Sequence, residues 1–167
     1  MSTSGNPHAD ARTASDIAAN LREAGLVRLV AAGTGDGVAA AGLLADALET
    51  AAVAHQTCVV PLPETATRDT DADVTVTLGR PAAEADLTLG TDGDPASLAT
   101  VVVARELAPG SGERLTTERA VLALAGVLAA GRQPDERLET LLDLPRRPGV
   151  AVPVTDTAAG LAHSTLV

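Results

Sequence analysis

Residues Leu29–Leu44 read LVAAGTGDGVAAAGLL. An apolar run, Leu29–Ala32, enters a turn, Gly33-Thr34-Gly35-Asp36-Gly37, and an alanine-rich helical pattern leaves it. Strand, glycine turn and helix start together make a place for a metal, a phosphate or a backbone loop. Glycine permits positive φ and close approach, and the first turn of a helix offers unpaired N–H groups.

Outward from this stretch, the chain reads as one domain with a polar tail over Met1–Thr13 expected to be disordered. Ser15 is placed to cap a helix over Asp16–Ala24, stopped by Gly25. Val27–Ala32 reads as a strand, Val38–Val53 as a helix, and Gln56–Val60, Val74–Leu78 and Leu87–Leu89 as further strands. Pro95 opens a helix over Ala96–Leu107, Thr116 or Thr117 begins another running to about Ala130, and Pro134–Asp143 suggests a third. Val150–Val154 suggests a last extended piece. Apolar β-branched runs separated by helices imply an α/β fold: a mostly parallel sheet with helices on both faces, followed by a helical segment. In such sheets ligands bind beyond the carboxyl ends of the strands. Gly33–Gly37, Gly79-Arg80 and Gly90–Asp94 all follow strand ends, which points to one shared site.

Composition narrows the chemistry. Of 167 residues, none is Phe, Tyr or Trp, all 12 basic residues are arginine, and the net charge is −10. Scarcity of residues with AT-rich codons, together with dense acid, implies a salt-adapted cell. At 1 M salt the Debye length is ~3 Å, so surface acid repels little. Without lysine there is no Walker A loop and no Schiff-base chemistry. Without aromatics there is no stacking platform for single-stranded bases. The lone Cys58 excludes a disulfide framework and reads as a buried small hydrophobe. No apolar run reaches the ~18 residues of a membrane span and no secretory leader is visible, so a cytoplasmic location without membrane partners is expected.

The strand, Gly/Asp turn and alanine-rich helix resemble motif I of the DHH phosphoesterase superfamily, roughly His-x-Asp-x-Asp-Gly followed by an apolar residue and alanines. Asp36 and Gly37 match the second Asp and the Gly, whereas Thr34 stands where the first Asp belongs and Ala32 where the His belongs. Val76-Thr77-Leu78-Gly79 resembles motif II with Thr77 in place of its Asp. Leu89-Gly90-Thr91-Asp92-Gly93-Asp94 occupies the place of the Asp-His-His motif without a histidine. Leu122–Gly131 resembles the motif IV helix without its Asp. The resemblance runs over Val27–Gly131 and is closest to archaeal RecJ-like proteins, manganese-dependent single-strand exonucleases whose family includes relatives that have lost their metal ligands and serve beside GINS in the replisome.

The resemblance implies a degenerate phosphoesterase domain over residues 14–167, lacking the C-terminal DHH-associated domain and possessing an end, at Val167, where a longer protein would continue. It would act as a scaffold or regulatory subunit in DNA replication or repair, with GINS-like proteins or single-stranded nucleic acid as partners. The alternative is an active phosphoesterase or exonuclease using manganese or magnesium, with Asp36, Asp92 and Asp94 as ligands; no histidine joins them, since His8, His55 and His163 lie elsewhere. With the site decayed, no cofactor is expected. Gly33, Thr34, Gly35, Gly37, Thr77, Gly79, Gly90 and Thr91 would line the remaining pocket. A more ordinary role for Asp36 is to cap the helix beginning at Val38, and for Asp92–Pro95 to form a turn and cap. The stripe within Val121–Leu128 reads as core. A nucleotide-binding Rossmann-like module is a further alternative, although Gly33, Gly35 and Gly37 give G-x-G-x-G with Val38 where that fingerprint needs its last glycine.

Overall fold

The computed structural model describes residues 13–61, 71–80, 85–90, 94–108 and 117–134. Within them lie α1 (Ala14–Glu23), β1 (Val27–Ala32), α2 (Gly35–Thr50), β2 (His55–Val60), β3 (Val74–Leu78), β4 (Leu87–Leu89), α3 (Ala96–Leu107) and α4 (Thr117–Ala129). The strands form one sheet in the order β2-β1-β3-β4, and every ladder is parallel. The expected α/β architecture on a mostly parallel sheet is therefore present. Of the helix expected over Pro134–Asp143 only Pro134 is described, and it is not helical. The piece expected over Val150–Val154, and the tail apart from Thr13, lie outside the described residues. No described helix is long and apolar enough to cross a membrane.

Alternation in the strands sorts the core. Val27, Leu29 and Ala31 of β1 share a face with Val76 and Leu78 of β3, and this face packs against Ile17 and Leu21 of α1, Leu44 and Leu48 of α2, and Val103 and Leu107 of α3. The α4 helix packs on α2 and α3, with Leu43, Val101, Ala120, Ala123 and Val127 forming a second, smaller cluster. On the opposite face of the sheet, Arg28, Val30 and Thr77 are buried too. Leucine, valine and alanine supply this core, and lost aromatic area is offset by close backbone approach. Along α2, Gly35, Ala39 and Gly42 face Ala129, Gly126 and Leu122 of α4 in antiparallel order. A Cβ at Gly35 would lie 2.7 Å from the Ala129 Cβ, and one at Gly126 would lie 2.9 Å from the Ala39 Cβ.

β2 lies at the edge of the sheet among the described strands, and its Gln56, Thr57 and Val59 are exposed while Cys58 is half-buried, so Cys58 is not the core residue its apolar context implies.

The start of α1 corrects a boundary. Thr13, not Ser15, is the N-cap: its hydroxyl accepts from the Asp16 N–H at 3.2 Å while Asp16 Oδ2 accepts from the Thr13 N–H at 3.1 Å, a reciprocal capping box. The Thr13 hydroxyl and backbone bonds hold the Asp16 carboxyl below the usual aspartate value. A depressed carboxyl contributes stability above its unfolded pKa and loses it as pH falls through the folded one. NMR titration of Asp16 is expected to show a midpoint below that of a free aspartate, and Thr13→Val is expected to raise it; an unchanged midpoint would contradict the capping box.

Candidate functional site

The glycine turn sits where an open α/β sheet changes direction. From β1 the chain goes through α2 to β2 on one side, and then returns to β3 on the other. The carboxyl ends of β1 and β3 flank this switch point, where crevices form in such folds. Ala32, Gly37, Gly79 and Ala96 meet there: from Gly79 (φ +68°) a Cβ would be 3.7 Å from the Ala32 Cβ, 3.7 Å from the Gly37 Cα and 3.6 Å from the Ala96 Cβ.

The turn is built by its own polar groups. Gly33 donates to the Val60 carbonyl at 2.8 Å, tying the exit of β1 to that of β2. Thr34 is the N-cap of α2, its hydroxyl accepting from the Gly37 N–H at 3.1 Å. The helix thus begins at Gly35, three residues ahead of the expected Val38, and takes the glycines into its first turn. Glycine is required at Gly37, because a Cβ there would collide with the Ala32 carbonyl oxygen and crowd the Ala32 backbone nitrogen.

Asp36 is the centre of the site, and its role differs from the simple cap on its own helix. It lies in the first turn of α2, is only 9% exposed, and points its carboxylate at the start of α3. Oδ2 accepts from the Ala96 N–H at 2.6 Å, and Oδ1 accepts from the Ser97 N–H at 3.0 Å and the Ser97 hydroxyl at 2.6 Å. The α3 helix has Pro95 as N-cap, a residue with no side chain to cap with. Leu98 and Ala99 donate to the Pro95 carbonyl, so Asp36 completes the helix's opening set of N–H groups from sixty residues away. Two helix N-termini converge on one carboxylate, and their partial positive charges stabilise it in a buried position.

The other expected site residues take comparable structural roles. The buried Thr77 hydroxyl bonds Thr88 Oγ1 at 2.9 Å, linking β3 to β4. Gly90 has φ +75°, and its backbone packs so closely on Ala96 that a side chain there would overlap it. Asp94 is exposed, one residue before the Pro95 cap. Thr91 and Asp92 lie outside the described residues. His55 opens β2, at the amino edge of the sheet and away from the turn. Among the described residues no group of three or more His, Cys, Asp or Glu side chains stands close enough to hold an ion. A hard divalent cation requires several oxygen or imidazole ligands at once. Asp36 with both oxygens bonded, and Thr34 and Thr77 with engaged hydroxyls, do not fit that requirement.

Sequence reasoning missed Ser97, and of the open apolar groove beside the turn it names only Gly33, Thr34 and Gly35; the expected lining residues Gly37, Thr77, Gly79 and Gly90 are not among those that line it. That groove is lined by Gly33, Thr34, Gly35, Val38, Val59 and, from α4, Leu122 and Ala129. The serine carried a faint signal, a hydroxyl in the first turn after a proline. The rest of the groove carried none, because it joins α2, β2 and α4.

No protein-family model matches the chain. An uncharacterized protein of the halophile Haloarcula marismortui is 43% identical over 168 residues, a match covering 99% of this chain and 42% of that protein. The chain thus spans well under half the length of this relative.

Removing the Asp36 carboxylate orphans buried donors at about 1–3 kcal/mol per group. Asp36→Ala is therefore expected to lower stability by more than about 2 kcal/mol in chemical denaturation in molar KCl, with Asp36→Asn falling between it and wild type. A loss below about 0.5 kcal/mol for Asp36→Ala, the size of an ordinary surface substitution, would contradict the capping role.

Proposed function

We propose that this chain is a DHH-phosphoesterase-like domain in which the positions that would hold ions have become structural, and that it serves as a non-catalytic scaffold or regulatory part in DNA replication or repair. The observation that carries this reading is the engagement of Asp36 with α3. At the position where the resemblance would place a metal ligand, both carboxylate oxygens accept helix-start donors. Its would-be companions point the same way: Thr34 caps α2 and Thr77 bridges β3 and β4. A hydrolase of this type holds two cations ~3.5–4 Å apart and draws hydroxide from them. A carboxylate whose oxygens are already occupied by N–H and O–H donors, with hydroxyls in place of its fellow ligands, offers poor support for that chemistry. The parallel sheet, with Gly33, Gly79 and Gly90 at its carboxyl edge, supports this reading. GINS-like replisome proteins are the partners this reading favours, in the cytoplasm, with single-stranded nucleic acid as a further contact through arginine.

The test is a hydrolysis assay of the full chain with manganese, on single-stranded DNA and on short and cyclic nucleotides, in molar KCl. The expected result is no turnover above the buffer rate, together with co-purification of GINS from salt-adapted cells. Turnover that Asp36→Asn abolishes in a folded variant would overturn the proposal. Thermal stabilisation by a dinucleotide without hydrolysis would instead favour a nucleotide-binding module.

A further inference from the structure

Helix α4 is attached differently from the other described helices. Its buried apolar residues are Ala120, Ala123 and Val127, whereas Leu124 is half-buried and Val121, Leu122 and Leu128 are exposed. The expectation that the stripe within Val121–Leu128 is core thus holds for Ala123 and Val127 only. The buried residues of α4 join Leu43 and Val101 in the smaller cluster, while α1, α2 and α3 all send residues into the main one. Burial stabilises in proportion to the apolar area removed from water, so two alanines and a valine secure a helix weakly. Open space also borders the contact. The apolar groove runs beside Leu122, Ala125 and Ala129, and a second hollow lies between α4 and α2, among Gly42, Asp46, Glu118 and Leu122. Atoms lining such gaps lack packing partners on one side.

Polar bonds compensate at one end. Arg119, buried in the first turn of α4, donates from Nε to Asp46 Oδ2 and from Nη2 to Thr50 Oγ1 at 3.0 Å, both on α2. Toward the other end, Gly126 rests on Ser97 and Ala129 on Gly35. Ser97 is the residue whose hydroxyl binds Asp36. Thus α4 roofs the candidate site with its second half and is clamped by its first.

We infer that α4 is a lid over the Asp36–Ser97 pair, lifting from α2 and α3 as a unit while the sheet and the other helices stay folded, with Arg119 as its latch. Lifting uncovers Ser97 together with Leu43 and Val101, all fully buried in the closed state. The bonds from Ala96 and Ser97 to Asp36 do not involve α4 and persist when it opens. Elements with little apolar burial open locally at a smaller cost than global unfolding, and lids over sites are drawn from them.

Thiol labelling in molar KCl of two matched variants, each in a Cys58→Ala background, tests this. Val101→Cys places a thiol beneath α4, and Val103→Cys places an equally buried one in the main core. The first is expected to label at least tenfold faster. Arg119→Gln is expected to accelerate it a further fivefold or more and to leave the second unchanged. In the wild type, with no buried substitution, amides of residues 123–127 should exchange at least tenfold faster than those of residues 103–107. Equal labelling at the two positions, or α4 amides as slow as those of α3, would show that α4 opens only when the whole chain unfolds and would overturn the inference. A labelling rate indifferent to Arg119→Gln would overturn the latch.

Discussion

One carboxylate joins the two halves of this fold. Asp36 belongs to the helix that follows the first strand, yet its oxygens complete the helix that follows the last. Hydrogen bonds to a charged acceptor contribute roughly 1.5–3 kcal/mol each, more than neutral ones, and they must offset the cost of taking a carboxylate out of water. Three donors from the first turn of α3, reinforced by the position of Asp36 in the first turn of α2, accomplish this without an arginine or a metal in the bonding set. The start of α3 is thereby fixed against the start of α2, and the carboxyl edge of the sheet is drawn closed between β1 and β3.

Small residues make that closure possible. Gly37 lies against the Ala32 backbone, Gly90 against Ala96, and Gly126 against Ser97, where an added Cβ would come within 2.5 Å of both the Ser97 Cβ and its hydroxyl. Thus α4 passes directly over the residue that binds Asp36. A chain without aromatic side chains gains cohesion by bringing backbones together, and the antiparallel α2–α4 seam shows the result. On the far side of α4, Val121, Ala125 and Leu128 are exposed, while Ala120, Ala123 and Val127 serve the core.

Much of this architecture was legible from local pattern. The bounds of β1, β3, β4 and α3 agree with expectation, since strand alternation, Pro95 and the flanking glycines are signals carried within a few residues. The start of α2 was misplaced because two glycines lower helix propensity, and the Thr34 cap that outweighs them resembles an ordinary turn residue. Thr13 was overlooked for a similar reason, its capping box using an aspartate where glutamate is the usual signal. The role of Asp36 was not legible at all. Its partners are distant in sequence, and nothing near residue 36 distinguishes a carboxylate aimed at a metal from one aimed at another helix. Legibility failed in the same way for β2, whose apolar residues look interior but sit on an edge strand.

Amide hydrogen exchange at Ala96 and Ser97 tests the central claim most directly. First-turn amides of a helix ordinarily exchange quickly for want of a partner. With Asp36 as acceptor, both should be protected nearly as strongly as amides of β1, and manganese should leave their rates unaltered. Rapid exchange at these two positions, or selective line broadening around Asp36 at stoichiometric manganese, would show that the carboxylate is free to bind an ion and that the account is wrong.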